Sequence, residues 1–596
     1  MPNFFKQNRE VLNNPLDIAN GFNDFFAEIG PSLAGKIQNP SGKSFKAYMK
    51  QEDTIFRFSS ISEVTISDFI RKLKPKTSAG VDCVSNKLLK RIAPLVIGPL
   101  HYLINLSLQT GFVPQQMKVS KIIPLYKIDS GDKHDFSNYR PISILSSFAK
   151  LVEKIVCSQL MNYLNHNDLL YKHQYGFRGK HGTSHPLIHF TNNIQDALNK
   201  NKFNLAIFID LKKAFDTVNY EVLLEKLSFY GVKNVENKWF RSYLTDRVQF
   251  VQLPCGTISD EKIVTCGVPQ GSVAGPLLFL IYINDLSNAT DLFTILFADD
   301  TTLQITSDDP EFATFKLNLE LQKASDWFAA NLLTLNAKKT KYMVFKRQSC
   351  HLHLGQLYID GEAISRVGES CTEKSFKFLG HHLDENLTWN YHVNHVHKKL
   401  VSANFALSRS KAFLPARVLK TIYRSLFESH LHFGSIVWGC ARSQSLHKLE
   451  VQQKKAIRHI KNLRYNAHTG DHFKQLEYLQ IRDLISFNQA IFARKYSNGK
   501  LPASFNHMLP SVPDQGCRRI RDDDYNFFPM SISYADLHYF PTQQIIYNWN
   551  KLPLLIKSVS DMADFRADLK NHFVSKYETV CNTVDCFACS LPWAAQ

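Results

Sequence analysis

The sequence predicts an α+β protein in which a strand-bearing region is followed by a helical one. Three observations predict it. Residues 205–210 (LAIFID) form an apolar run of strand length that ends in an aspartate. Residues 294–303 (TILFADDTTL) set two apolar, β-branched runs around the adjacent carboxylates Asp299 and Asp300, which reads as a hairpin with the acidic pair at its turn. From Tyr391 strand patterning gives way to helical patterning through about Asn498.

Size and charge bound what the chain can do. At 596 residues it exceeds a single core, and about two to four domains are expected. A formal net charge of +18 and a pI near 9.2 favour a polyanionic partner, nucleic acid ahead of a membrane surface. No apolar run approaches the ~20 residues of a membrane-spanning helix. The best candidate, residues 276–283 (PLLFLIYI), is far shorter. The opening residues MPNFFKQNRE lack the apolar centre of a signal peptide. Eleven cysteines, scattered except at the end, form no disulfide framework. A reducing compartment, cytoplasm or nucleus, is expected, with no membrane partner.

The elements follow in chain order. Residues 1–60 read as a lead-in with helical spacing at 17–33, and a short helical pattern runs over 61–73. Residues 73–90 (LKPKTSAGVDCVSNKLLK) form a basic turn that either holds a phosphate backbone or is a solvated loop. Residues 121–127 and 138–145 read as strands. Lys127 and Arg140 near their ends could clamp a triphosphate or be ordinary surface charges. A helix follows over 148–164, then a Gly-rich basic segment at 174–183 (QYGFRGKHGT). Asp210 just past a buried strand serves chemistry or a cap. Asn219 caps a helix that Gly231 stops. Residues 266–286 are a Gly/Pro loop opening an apolar helix, where glycines let the backbone approach a ligand. A helix at 312–332, a strand ending at 345 and a hairpin at 375–383 complete the strand-bearing region.

Between 391 and 461 thirteen Lys/Arg face two acidic residues, with Tyr423, Phe427, Phe433 and Trp438 interleaved. A solvated basic face explains the aromatics as core but not that bias, so a nucleic-acid-facing helical domain is expected. Residues 502–513 read as a linker. Cys581, Cys586 and Cys589, preceded by His572, are a candidate Zn²⁺ set, but a regular site wants four ligands at a familiar spacing.

Two adjacent carboxylates repel, and each raises the other's pKa unless a cation neutralises them. A strand-end aspartate about ninety residues before an acidic hairpin, with cations nearby, suits two-metal phosphoryl transfer.

The stretches LAIFIDLKKAFDTV, CGVPQGSVAGPLLFLIYINDL and ILFADDTTL resemble, in order and spacing, successive palm motifs of reverse transcriptases. KTSAGVD, KIIPLYK, SNYRPISIL and QYGFR extend the resemblance upstream, and LTLNAKKTKYMVF and FKFLG downstream. Over about residues 70–385 the set looks most like non-LTR (LINE-type), jockey-like retrotransposons. The resemblance implies a right-hand polymerase: a lead-in (1–60), fingers and an antiparallel-sheet palm (61–345), a primer-grip hairpin region (346–390), a basic helical thumb (391–505) and a C-terminal extension (506–596). It implies that Asp210, Asp299 and Asp300 bind two Mg²⁺ ions, with Mn²⁺ as a substitute. Lys127 and Arg140 would grip the triphosphate, and Phe215 would bar a ribose 2′-OH. Gln270 and Gly271 would line the nucleotide pocket, and Lys341 would assist the leaving pyrophosphate. Phe378, Leu379 and Gly380 would form the primer grip.

The implied partners are an RNA template, a DNA primer and target DNA, and dNTPs. Ala274, Ala79 and GKHGTS depart mildly from the family pattern, and none touches a catalytic carboxylate. Autonomous elements of this kind generally carry an endonuclease domain upstream; this chain starts just before the polymerase, as a fragment or a separate piece would, so self-sufficient target cleavage stays open. The rival readings are an RNA-directed RNA polymerase, which Phe215 opposes, and a catalytically silent nucleic-acid-binding remnant.

Overall fold

The computed structural model describes residues 1–7, 10–127, 131–347, 354–509, 525–528 and 540–577. Cys581, Cys586 and Cys589 lie outside the described residues.

A five-stranded sheet organises the middle of the chain, in the order Ser365–Val367, Lys341–Phe345, Phe203–Ile209, Asp300–Ser307, Phe293–Phe297. All neighbours are antiparallel except the Ser365–Val367 edge strand, which runs parallel to Lys341–Phe345. The central strand, Phe203–Ile209, is buried at every position. Side chains alternate across a strand. Leu205, Ile207 and Ile209 therefore enter one core and Ala206 and Phe208 the other.

The first core takes the helices Tyr220–Phe229, Ala274–Ile283 and Pro310–Ala330. The second takes the helix Ser184–Asn199 and the helices from Asn390–Ser410 onward, with Trp389, Trp438 and Trp549 fully enclosed. A second sheet, Tyr139–Ile144, Val119–Tyr126, Arg247–Val251, Lys262–Val264, puts Tyr139, Ile122 and Val251 into a third, smaller core. The helix Pro15–Ala34 packs Phe22 and Phe26 on it, with Phe5 and Phe136 beside them.

Local chemistry explains the element ends. Asn219 accepts from the Val222 amide, and Gly231 takes a φ of +84° past the helix it stops. Three readings are corrected. The hairpin turn holds Ala298 and Asp299, while Asp300 already begins the second strand, paired with Phe297. The described part of 502–513 is no free linker: Phe505 and Leu509 are buried, and Phe505 packs on His189 at 4.2 Å. Finally, among the described residues one helix, Asn86–Thr110, is long and apolar enough by length and composition to cross a membrane. It places Leu89, Leu100, Ile104 and Leu108 in the first core; Lys87, Lys90 and Arg91 all lie in its first two turns, and residues 92–110 carry no Asp, Glu, Lys or Arg.

Candidate active site

The register of the central sheet assembles the acidic site. Ile209 pairs with Thr301, so one step further along the strand Asp210 comes beside Asp300. Beyond Asp210 the chain keeps its neighbour on the other side. Asn336 donates its amide to the Asp210 carbonyl at 2.9 Å, and its Nδ2 donates to Asp210 Oδ2 at 2.7 Å. Like charges held together in a partly desolvated site favour protonation. Burial, and then Asp210, raise the Asp299 carboxyl. Burial, then Asp299 and Asp210, push the Asp300 carboxyl up to about 6.

Asp210 and Asp299 line one cavity of about 950 Å³ together with Lys127, Arg140, Lys213, Phe177, Phe215, Gln270, Gly271 and Lys339. Asp300 sits beside it, on the first position of its strand. The cations crowd one another. Burial, reinforced by Lys213 and Arg140, holds the Lys127 ammonium down to about 8. Burial also lowers Lys213, whose Nζ donates to the Ser137 carbonyl at 3.4 Å. An anion bound among these groups relieves their repulsion.

The remaining expected residues divide. Phe215 stacks on Phe279 with ring centroids 4.6 Å apart. Gln270 Nε2 donates to buried Asp216 Oδ1 at 2.8 Å, while the Gln270 carbonyl accepts from the Ser143 amide at 2.8 Å. A Cβ on Gly271, at φ +123°, would fall 2.6 Å from the Ser143 carbonyl oxygen. This glycine lets two chain segments approach, which differs from the expected approach to a ligand.

Lys341 is not among the cavity's lining residues. It sits opposite Phe208 in the sheet, and its ammonium meets Glu373 at 3.4 Å. Lys339, two residues earlier, lines the cavity instead. Leu379 and Gly380 form the two-residue turn of a separate hairpin, with Phe378 as the last strand residue before it. Leu379 and Gly380 both have positive φ, as such turns require. Phe378 is buried against Phe190 and Phe208, and Gly380 closes on Phe433 of the helical region. Asn336, Lys339 and Lys213 were not singled out from the sequence. Their only signal was the polar and basic character of LTLNAKKTKY and LKKAFD.

The donor set suits Mg²⁺. It offers carboxylate oxygens with unrelieved negative charge, and Mg²⁺ is ordinarily held by one or two carboxylates plus substrate phosphates. Among the described residues no group of three His, Cys, Asp or Glu side chains is gathered tightly enough to hold a metal ion by itself. A site completed by substrate phosphates does not require one.

Residues 131–383 match the family model described as reverse transcriptase (RNA-dependent DNA polymerase). The chain is 28% identical over 418 residues to the probable RNA-directed DNA polymerase from transposon BS of Drosophila melanogaster, covering 67% of this chain and 44% of that protein. It is 26% identical over 440 residues to the RNA-directed DNA polymerase from mobile element jockey of the same species, covering 71% and 46%. It is 26% identical over 411 residues to the probable RNA-directed DNA polymerase from transposon X-element, again of Drosophila melanogaster, covering 66% and 43%. The chain thus spans less than half the length of these relatives. Residues 131–383, which match that reverse transcriptase family model, carry the acidic strand end, the acidic hairpin and the Gly/Pro loop between them.

Proposed function

We propose that this chain is the RNA-directed DNA polymerase of a non-LTR retrotransposon, a nucleotidyltransferase that extends a primer 3′-OH on an RNA template with dNTPs. The observation that carries the reading is one cavity lined by Asp210 and Asp299 and by Lys127, Arg140, Lys212, Lys213 and Lys339. In this reading the five-stranded sheet is the palm, the four-stranded sheet belongs to the fingers, and the helices from Asn390–Ser410 onward form the thumb. The primer, the template and the target DNA lie along the basic helical face. Free thiols at Cys83, Cys157, Cys255, Cys266, Cys371 and Cys440 fit a reducing cytoplasmic or nuclear setting.

The primer hydroxyl attacks the α-phosphorus of the dNTP, a new P–O bond forms, and pyrophosphate leaves. Asp210, Asp299 and Asp300 would hold Mg²⁺, which when bound supplies Lewis-acid stabilisation of the charge on the reacting oxygens. The chain itself does the positioning. Asn336 fixes the Asp210 carboxylate through its 2.7 Å hydrogen bond. The five cations offset the triphosphate charge, and Phe215 on Phe279 bars the 2′-OH of a ribonucleotide.

The test is primer extension on an RNA template with dNTPs and Mg²⁺, comparing wild type with Asp299→Ala/Asp300→Ala. Wild-type extension that falls by at least ~10³-fold in the double variant is expected, the scale of losing charge stabilisation at a reacting centre. Folded wild type that binds primer–template without extending it would move the assignment to a nucleic-acid-binding remnant.

A further inference from the structure

Phe177 lies in the QYGFR segment, which the proposed chemistry leaves without a role. It is 54% exposed, lines the cavity that holds Asp210, Asp299 and Phe215, and adopts a φ of +53°. Large side chains rarely adopt that left-handed region, and a residue held there is held by its surroundings.

The surroundings are specific. Residues 173–175 run beside the Phe293–Phe297 strand: the Tyr175 amide donates to the Leu296 carbonyl at 2.8 Å, and the Leu296 amide donates to the His173 carbonyl at 3.0 Å. The buried Gln174 side chain ties the two adjacent turns together. Its Oε1 accepts from the Gly176 amide at 2.8 Å and from the Ala298 amide at 3.1 Å. Gly176 lies so close to the acidic turn that a Cβ there would fall 2.3 Å from the Ala298 nitrogen. Phe177 is thereby delivered to the cavity beside the acidic turn.

Its ring meets Phe215 edge to face, with centroids 6.2 Å apart and planes at 88°. Phe215 in turn stacks flat on fully buried Phe279. The three rings form a chain from core to cavity. Phe279 limits Phe215 on one face, and Phe177 limits it from the cavity side.

We infer that Phe177 is a positioning residue for sugar selection, holding the Phe215 ring in the orientation that excludes a ribose 2′-OH. This rests on the proposed polymerase reading and on Phe215 as the gate. Without Phe177 the Phe215 ring is free to turn out of that orientation, and a ribonucleotide gains entry.

The experiment measures kcat/KM for single-nucleotide incorporation of a dNTP and the matching rNTP on an RNA template. The variants are Phe177→Ala, Phe177→Tyr, Phe215→Ala and the Phe177→Ala/Phe215→Ala double. The expected result is a drop of about tenfold in dNTP/rNTP preference for Phe177→Ala, the size an edge-to-face aromatic pair can supply. The drop should come from a lower KM for the rNTP. Phe177→Tyr, which keeps the ring edge, should restore the preference, and the double variant should discriminate no worse than Phe215→Ala alone. A relaxed Phe215→Ala beside an unchanged Phe177→Ala overturns this inference and leaves the gate standing. Full additivity of the two changes also overturns it. An unchanged Phe215→Ala overturns the gate and this inference with it, and a wild type that does not extend overturns the polymerase reading.

Discussion

Asp300 shows how one residue's role depends on a single step of register. It begins a strand rather than closing the turn, so Asp299 and Asp210 face the cavity while Asp300 stands beside them. Its carboxyl is pushed up to about 6, by burial first and then by the other two carboxylates. A folded-state pKa above the unfolded value stabilises the fold at low pH, and that stabilisation is lost as pH rises through the folded value. Without divalent cation, Tm should therefore fall between pH 5 and pH 7, as the three charges come to repel. Added Mg²⁺ should recover Tm at pH 7 and do little at pH 5, where Asp300 already holds its proton. Differential scanning calorimetry across that range checks both arms. A pH-independent Mg²⁺ effect would show that the carboxylates do not take up the ion as a group. The adjacent pair was plain in the sequence, but which member faces the cavity was not, because a one-residue shift moves a side chain to the other face.

At the scale of elements, the Ala274–Ile283 helix shows support supplied from afar. Val273 before it makes no side-chain cap. Glu153, on the Ser147–His166 helix, does so instead. Its Oε2 accepts from the Val273 amide at 2.5 Å and the Ala274 amide at 3.3 Å, and its Oε1 accepts from the Tyr243 hydroxyl at 2.9 Å. Three donors lose their acceptor in Glu153→Ala, and a buried unsatisfied group costs about 1–3 kcal/mol. The variant should unfold at lower urea, with a loss of about 2–3 kcal/mol, and Glu153→Gln should lose less because it still accepts. The sequence announced this helix through its Gly/Pro opening and apolar run. Its cap stayed hidden, because Glu153 sits among Leu151, Val152, Ile155 and Val156 with nothing local to name its partner. Lys226 and Asp285 pair in the same core, both buried, and their pairing was equally unreadable before the helices were packed.

At the scale of the molecule, one sheet joins two cores, and the second extends from Trp389 through the helices Pro541–Asn550 and Met562–Ser575. Tyr423, Phe427 and Trp438 are interior to it, while Phe433 stays partly exposed against the Gly380 turn. Nine of the thirteen basic residues between 391 and 461 are exposed, Lys398, Lys399, Lys454 and Lys455 among them. A helical face of this kind binds phosphates by displacing counterions. Affinity for a primer–template duplex should fall steeply with salt. Changing those four lysines to glutamine should flatten the plot of log K against log salt by roughly 0.7–0.9 for each phosphate that is no longer neutralised, measured by fluorescence anisotropy. A slope that does not change would place the duplex elsewhere on the surface.

What the sequence determined by itself was whatever local chemistry writes. A doubly buried strand ends at Asp210, an acidic hairpin follows about ninety residues later, a glycine-rich loop stands between, and the basic bias begins after the strands stop. Strand periodicity, turn residues and charge are properties of short stretches and survive without the fold. The tertiary structure alone decided that Asn336 holds Asp210, that Lys339 rather than Lys341 lines the cavity, that Glu153 caps a helix 120 positions away, and that Phe177 meets Phe215. Each of these depends on which strands and helices become neighbours and in what register. That choice is made by burying two cores on one sheet, and no short stretch of the chain contains it.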